Sequence, residues 1–74
     1  MGRPLMYRKG DIITRRLDGK VIERKILDVD NKIRKYLLSE GNDHTKIYGW
    51  VTPWFPESRY KRVRSILFEE SLNG

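Results

Sequence analysis

Asp18-Gly19 stands between two β-branched runs, and no other feature of the chain constrains its fold more. A two-residue type I′ turn needs positive φ at both central positions, which Asp-Gly tolerates, and its twist matches that of antiparallel strands. The pair therefore reads as the tip of a hairpin. Before it, Asp11-Ile12-Ile13-Thr14-Arg15-Arg16-Leu17 alternates from Ile13, with Ile13, Arg15 and Leu17 on one face and Ile12, Thr14 and Arg16 on the other. After it, residues 20–29 carry their apolar side chains as the pairs Val21-Ile22 and Ile26-Leu27, then Val29. Strict alternation fails there, and Ile22, Ile26 and Val29 also fit a helical stripe. The preceding turn and the β-branched content favour a long strand with a bulge or bend.

Further along, Asp30-Asn31-Lys32 reads as a turn and Lys35-Tyr36-Leu37-Leu38-Ser39 as a short strand. A polar loop, residues 40–45, precedes a strand over residues 46–51, in which Tyr48 and Trp50 share one side and Ile47, Gly49 and Val51 the other. Gly49 inside it suggests a kink or a close backbone approach. Pro53 and Pro56 prohibit a regular strand and suit one 3₁₀ turn. Residues 59–64 read as a last strand. The expected organisation is a basic N-terminal arm at 1–9, ordered from about Tyr7, a β-barrel at 10–64 and a C-terminal tail at 65–74, loose or forming a short helical turn.

Seventy-four residues make one domain with a small core and no cofactor-sized cavity. The absence of cysteine removes disulfides, thiolate nucleophiles and cysteine-ligated zinc together. The single histidine, His44, sits in a polar run beside Asp43 and reads as a solvated loop residue rather than a general base. Asp28 and Asp30 read as turn carboxylates rather than metal ligands. There is no phosphate-loop or dinucleotide glycine motif. The expectation is a protein without catalytic residues, cofactor or metal. With no long apolar run, it is expected to be cytoplasmic and to have no membrane partner.

Five short strands at these spacings suggest a small barrel. The chain resembles the SH3-like small barrels, the group that includes Tudor and KOW domains, through four stretches. Residues 7–13, Tyr-Arg-Lys-Gly-Asp-Ile-Ile, look like the opening of the first strand. Residues 21–29 look like the long bent second strand, and residues 35–39 like the third. Gly49-Trp50-Val51 before Pro53-Trp54 looks like a fourth strand entering the 3₁₀ turn. The resemblance spans residues 7–63 and implies a five-stranded barrel with a binding function. The acidic loop of peptide-binding SH3 domains is missing, since only Asp18-Gly19 follows Leu17, which argues against recognition of proline-rich peptides. In size and style the chain also resembles accessory proteins of bacteriophages and mobile elements.

The net charge of +6 makes a polyanion the first partner to consider. Arg59-Tyr60-Lys61-Arg62-Val63-Arg64 concentrates four cations around an aromatic, and pairing of first and last strands would bring Arg15, Arg16, Arg24 and Lys25 near them. Five of the eight aromatic residues fall between positions 48 and 60. Basic residues interleaved with rings suit phosphate contact and base stacking. The expected nucleic-acid site is thus Arg15, Arg16, Arg59, Lys61, Arg62 and Arg64, with Tyr48 or Trp54 stacking, on DNA or RNA. The competing reading is a protein-interaction module, an accessory or inhibitory factor docking on a larger complex through Trp50, Trp54, Phe55 and Tyr60. The plainer alternatives are an edge strand protected by charge and rings that fill the core. One of Trp50 and Trp54 is expected to be mainly buried. Monomer and homodimer both remain open.

Overall fold

In the computed structural model, which describes residues 4–64, the Asp18-Gly19 turn joins β1 (Ile12–Leu17) to β2 (Lys20–Asp30). Both turn residues have positive φ, 53° and 76°, as a type I′ turn requires. The strands β3 (Lys35–Glu40), β4 (Asp43–Val51) and β5 (Lys61–Arg64) follow, with a short helix α1 (Trp54–Arg59) before the last. They form one antiparallel sheet in the order β4-β3-β2-β1-β5. The fold is mostly β, but the sheet is not closed into the expected barrel, and β4 and β5 are its edges. The expected tail at 65–74 and the first three residues of the arm lie outside the described residues.

β2 serves two neighbours in succession. Its residues 20–25 pair with β1, and its residues 26–30 pair with β3. The register shifts between Ile26 and Asp28, so Leu27 is an extra residue in the ladder. The doubled apolar pair Ile26-Leu27 is the sequence trace of this bulge, which bends the strand. The bend leaves β2's first half without a strand on its β3 side, and side chains bond the backbone there instead. Asn42 Oδ1 accepts from the Glu23 N–H at 2.6 Å and Ser39 Oγ accepts from the Lys25 N–H at 2.7 Å. Asn42 Nδ2 donates to the Val21 carbonyl at 3.2 Å. Buried backbone groups require such partners.

A second constraint sits at the start of β1. Asp11 is fully buried, and its Oδ2 accepts from the Arg8 N–H at 2.9 Å, closing a turn that also carries an Asp11 N–H to Arg8 carbonyl bond of 3.0 Å. Gly10, at φ 97°, lets the chain leave this turn and bond Ile26 of β2. Tyr7 is 3% exposed, so the arm is anchored to the core from that residue.

The core is built from tyrosines and aliphatics: Tyr7, Ile13, Ile26, Tyr36, Leu38 and Tyr60. Neither tryptophan is mainly buried, which corrects the expectation. Trp50 is 45% and Trp54 64% exposed. Tyrosine fits this core because each buried hydroxyl finds a partner. Tyr36 Oη donates to Glu57 Oε2 at 2.5 Å and accepts from the Tyr7 N–H at 2.9 Å. Tyr7 Oη donates to the Tyr60 carbonyl at 3.0 Å, and Tyr60 Oη accepts from Arg24 Nε at 2.8 Å. This chain of bonds ties the arm, β2, β3 and α1 to the start of β5.

Three further local expectations change. The polar loop at 40–45 is largely strand, since β3 runs to Glu40 and β4 begins at Asp43 around a Gly41-Asn42 turn. The Pro53–Pro56 segment is an α-helix rather than a 3₁₀ turn: the N–H groups of Glu57 and Tyr60 reach the carbonyls of Pro53 and Pro56, four residues back. Pro56 is tolerated because a first-turn N–H has no intrahelical acceptor to lose. The helix keeps Arg59, so β5 starts at Lys61 rather than at 59.

Candidate nucleic-acid interface

The expected site residues separate into two groups. Arg15, Tyr48, Trp54, Phe55, Tyr60 and Arg59 come together around one corner of the molecule, joined by Arg24. The register explains the two β-strand arginines. Arg24 lies opposite Ile13, and Arg15 opposite Ile22, so both share the face that carries the core. The Arg24 guanidinium lies 4.3 Å from the centre of the Tyr48 ring. The Arg15 guanidinium lies 5.7 Å from the Tyr60 ring. Arg59, one turn along α1 from Trp54, sits 5.0 Å from that ring and 5.6 Å from Phe55. Tyr48 stacks on Phe55 with centroids 6.4 Å apart and planes 11° apart, and Phe55 meets Tyr60 edge-on at 5.9 Å. Guanidinium groups and rings thus alternate across the corner.

The groups at this corner are not equally available. Arg24 spends Nε on Tyr60 Oη and one terminal nitrogen on the Ser39 carbonyl at 2.9 Å, so it braces the rings. Its part in the site was visible in the sequence only as nearness in strand pairing, because nothing in Glu23-Arg24-Lys25 marks which cation faces inward. Arg15 Nε is buried and has no hydrogen-bond partner. Trp54 offers the largest exposed ring surface of the group.

The second group lies elsewhere. Arg16 sits opposite Val21 on the other face of the sheet, exposed. Lys61 lies opposite Thr14, on that same face. Arg62 reaches the buried Asp11 carboxylate, 3.5 Å away, and its side chain is 48% exposed. The backbone of Arg64 pairs with Ile12. Arg16, Lys61 and Arg62 make a positive edge along β1 and β5 rather than part of the aromatic corner.

Tyr48 and Trp50, expected on one side of β4, are separated. The ladder pairs Leu38 with Gly49 and Ser39 with Ile47, leaving Tyr48 as the extra residue of a bulge beside Gly49, whose φ is 144°. The bulge turns Tyr48 towards Phe55 and Arg24. Trp50, opposite Leu37, remains on the outer face of the sheet, on the edge strand with Ile47, which is 64% exposed.

His44 is not a free loop residue. It is the second residue of β4, half-buried, with Nε2 3.1 Å from Glu23 Oε2. Asp28, expected in a turn, lies within β2, where its Oδ1 accepts from the Val29 N–H, whereas Asp30 Oδ1 accepts from the Lys32 and Ile33 N–H groups of the following turn. No group of three potential metal ligands occurs among the described residues, and no helix there is long and apolar enough to cross a membrane. No protein-family model, curated protein or solved structure matches the chain.

Proposed function

We propose that this chain is a non-enzymatic binding module for single-stranded nucleic acid on an SH3-like framework. The framework reading draws on the meander order, the bent β2 shared by two half-sheets, and the helix inserted between the fourth and fifth strands. The functional reading rests on one observation above all. At the aromatic corner an exposed tryptophan carries Arg59 against its ring, beside Phe55 and Tyr48. Flat rings take bases by stacking without regard to sequence, and adjacent guanidinium groups take the phosphates between them. Arg15, half-buried with its guanidinium 5.7 Å from the Tyr60 ring, is the second phosphate contact, and the β1–β5 edge extends the positive track. A duplex, whose bases are already stacked, has nothing to offer Trp54.

Fluorescence anisotropy of labelled single- and double-stranded oligonucleotides, DNA and RNA, at two salt concentrations tests this. Saturable binding of single strands is expected, with three or four phosphate contacts giving a slope of log affinity against log salt of about −2 to −3. No binding at low salt would remove the proposal.

A second reading has its own observation: among the described residues β4 is an unpaired edge, with Ile47 and Trp50 exposed along it. A partner protein adding a strand there would bury both. Under that reading, Trp50→Ala abolishes partner capture and leaves oligonucleotide binding unchanged.

A further inference from the structure

Trp54 borders a surface hollow of about 400 Å³, whose other walls are Met6, Arg34, Pro53, Glu57 and Ser58. That volume falls within the roughly 300–1,000 Å³ of small-molecule sites. Its apolar walls are open: Met6 is 56% and Trp54 64% exposed. Its polar wall is held in place. Glu57 Oε2 accepts from the Met6 N–H at 3.1 Å and from Tyr36 Oη at 2.5 Å, which fixes the carboxylate in the wall of the hollow. Ser58 Oγ is fixed as well, donating to the Trp54 carbonyl at 2.6 Å.

A ring against a flat tryptophan and a donor against a fixed carboxylate describe what the hollow accepts. A cationic side chain of another protein meets both conditions, but a chain of net charge +6 repels a basic partner. A nucleobase with an exocyclic amino group meets both and belongs to a polyanion. We infer that the hollow beside Trp54 takes one base of the bound strand, and that Glu57 selects an amino-bearing base over thymine or uracil. The inference rests on the single-strand reading above. Glutamate accepts from the amino group of cytosine, whereas the carbonyl oxygen that thymine carries at the same ring position repels it.

Replacing the carboxylate by an amide gives the inference a sign. The two donors at Oε2 hold the amide oxygen of Glu57→Gln in that position, so the amide nitrogen takes the place of Oε1. A donor there favours the thymine carbonyl. Short oligodeoxycytidylate and oligodeoxythymidylate, two pyrimidine strands of equal length and charge, are compared by anisotropy on the full chain. Wild type is expected to bind the cytidine strand about tenfold more tightly, the discrimination of one good polar base contact. Glu57→Gln is expected to prefer the thymidine strand, and Trp54→Ala to bind both weakly and alike. Circular dichroism checks that each variant is folded. If Glu57→Gln does not fold, the wild-type ratio and Trp54→Ala still decide. Equal affinity of wild type for the two strands overturns the base pocket and leaves the single-strand reading standing. No binding of either strand at low salt overturns both.

Discussion

Tyr36→Phe removes one oxygen atom from the centre of the molecule, and the structure says what that atom holds. Tyr36 is fully buried, and its hydroxyl both donates to Glu57 and accepts from the Tyr7 N–H. Without it the Tyr7 N–H, on a residue 3% exposed, has no acceptor, which costs about 1–3 kcal/mol. The bond to Glu57 is to a carboxylate, and such bonds contribute about 1.5–3 kcal/mol. Glu57 is half-buried and water recovers part of that loss, so we take the low end. The expected total is about 2.5–4.5 kcal/mol. A domain of this length has roughly 4–11 kcal/mol of stability at the usual value per residue. At about 4–8 °C per kcal/mol, the midpoint falls by about 10–35 °C. Thermal and urea unfolding followed by circular dichroism measure this, with Tyr48→Phe, whose ring is 53% exposed, as the control expected to change stability by less than about 0.5 kcal/mol. A loss below about 1 kcal/mol for Tyr36→Phe would refute the reasoning, because it would mean that the hydroxyl's bonds are readily replaced.

Burial, followed by the bond to Glu57, raises the Tyr36 hydroxyl well above its ordinary range, and burial followed by the Glu57 charge raises that of Tyr7. Each keeps its proton in the folded state after the unfolded chain has lost it, so their stabilisation is intact below pH 10 and falls above it by up to about 1.4 kcal/mol per pH unit per tyrosine. Absorbance of ionised tyrosine should therefore rise together with unfolding in an alkaline titration, and a stability that is flat from pH 10 to 11.5 would contradict this. Gly49→Ala forces a side chain onto φ 144° where no neighbouring atom lies within 4 Å, so its cost is backbone strain, about 1–3 kcal/mol in urea unfolding. Arg59→Ala is expected to weaken oligonucleotide binding and reduce the salt slope by about 0.7, whereas Arg24→Ala should lower stability as well as binding; an unchanged slope for Arg59→Ala would remove it from the phosphate contacts.

The hairpin was legible because its signal is local. Asp18 and Gly19 supply their φ angles wherever they occur, and the irregular apolar pairs of residues 20–29 already suggested the bulge found at Leu27. The two prolines three apart rightly exclude a strand, but their spacing suits one 3₁₀ turn as well as an α-helix that holds both where an N–H has no helical acceptor, and the sequence does not separate the two. The tryptophans were placed by size, as core fillers. The core instead took tyrosines because Glu57, Arg24 and the Tyr60 carbonyl stand ready for their hydroxyls, and no sequence distance reveals that. The site was half visible. Composition pointed to arginines among rings, but which ones meet depends on the Tyr48 bulge and on Arg59 staying in the helix, both set by packing between elements distant in sequence.

The same bonds decide which residues can be used to dissect binding. Tyr60 closes the aromatic corner, yet its carbonyl accepts from Tyr7 and its hydroxyl from Arg24, so any change there alters the core along with the surface. Phe55 packs against that core as well. Loss of binding in variants of these residues would follow from either cause. Trp54 and Arg59 stand apart from this network: both are exposed, and their ring and guanidinium contacts are to each other and to Phe55. Substitution there removes interface while leaving the tyrosine network intact. Under the proposed function, the corner is a seat made by Arg24, Tyr60 and Phe55, carrying an exposed rim made by Trp54 and Arg59. Affinity should follow the rim, and its dependence on temperature should follow the seat.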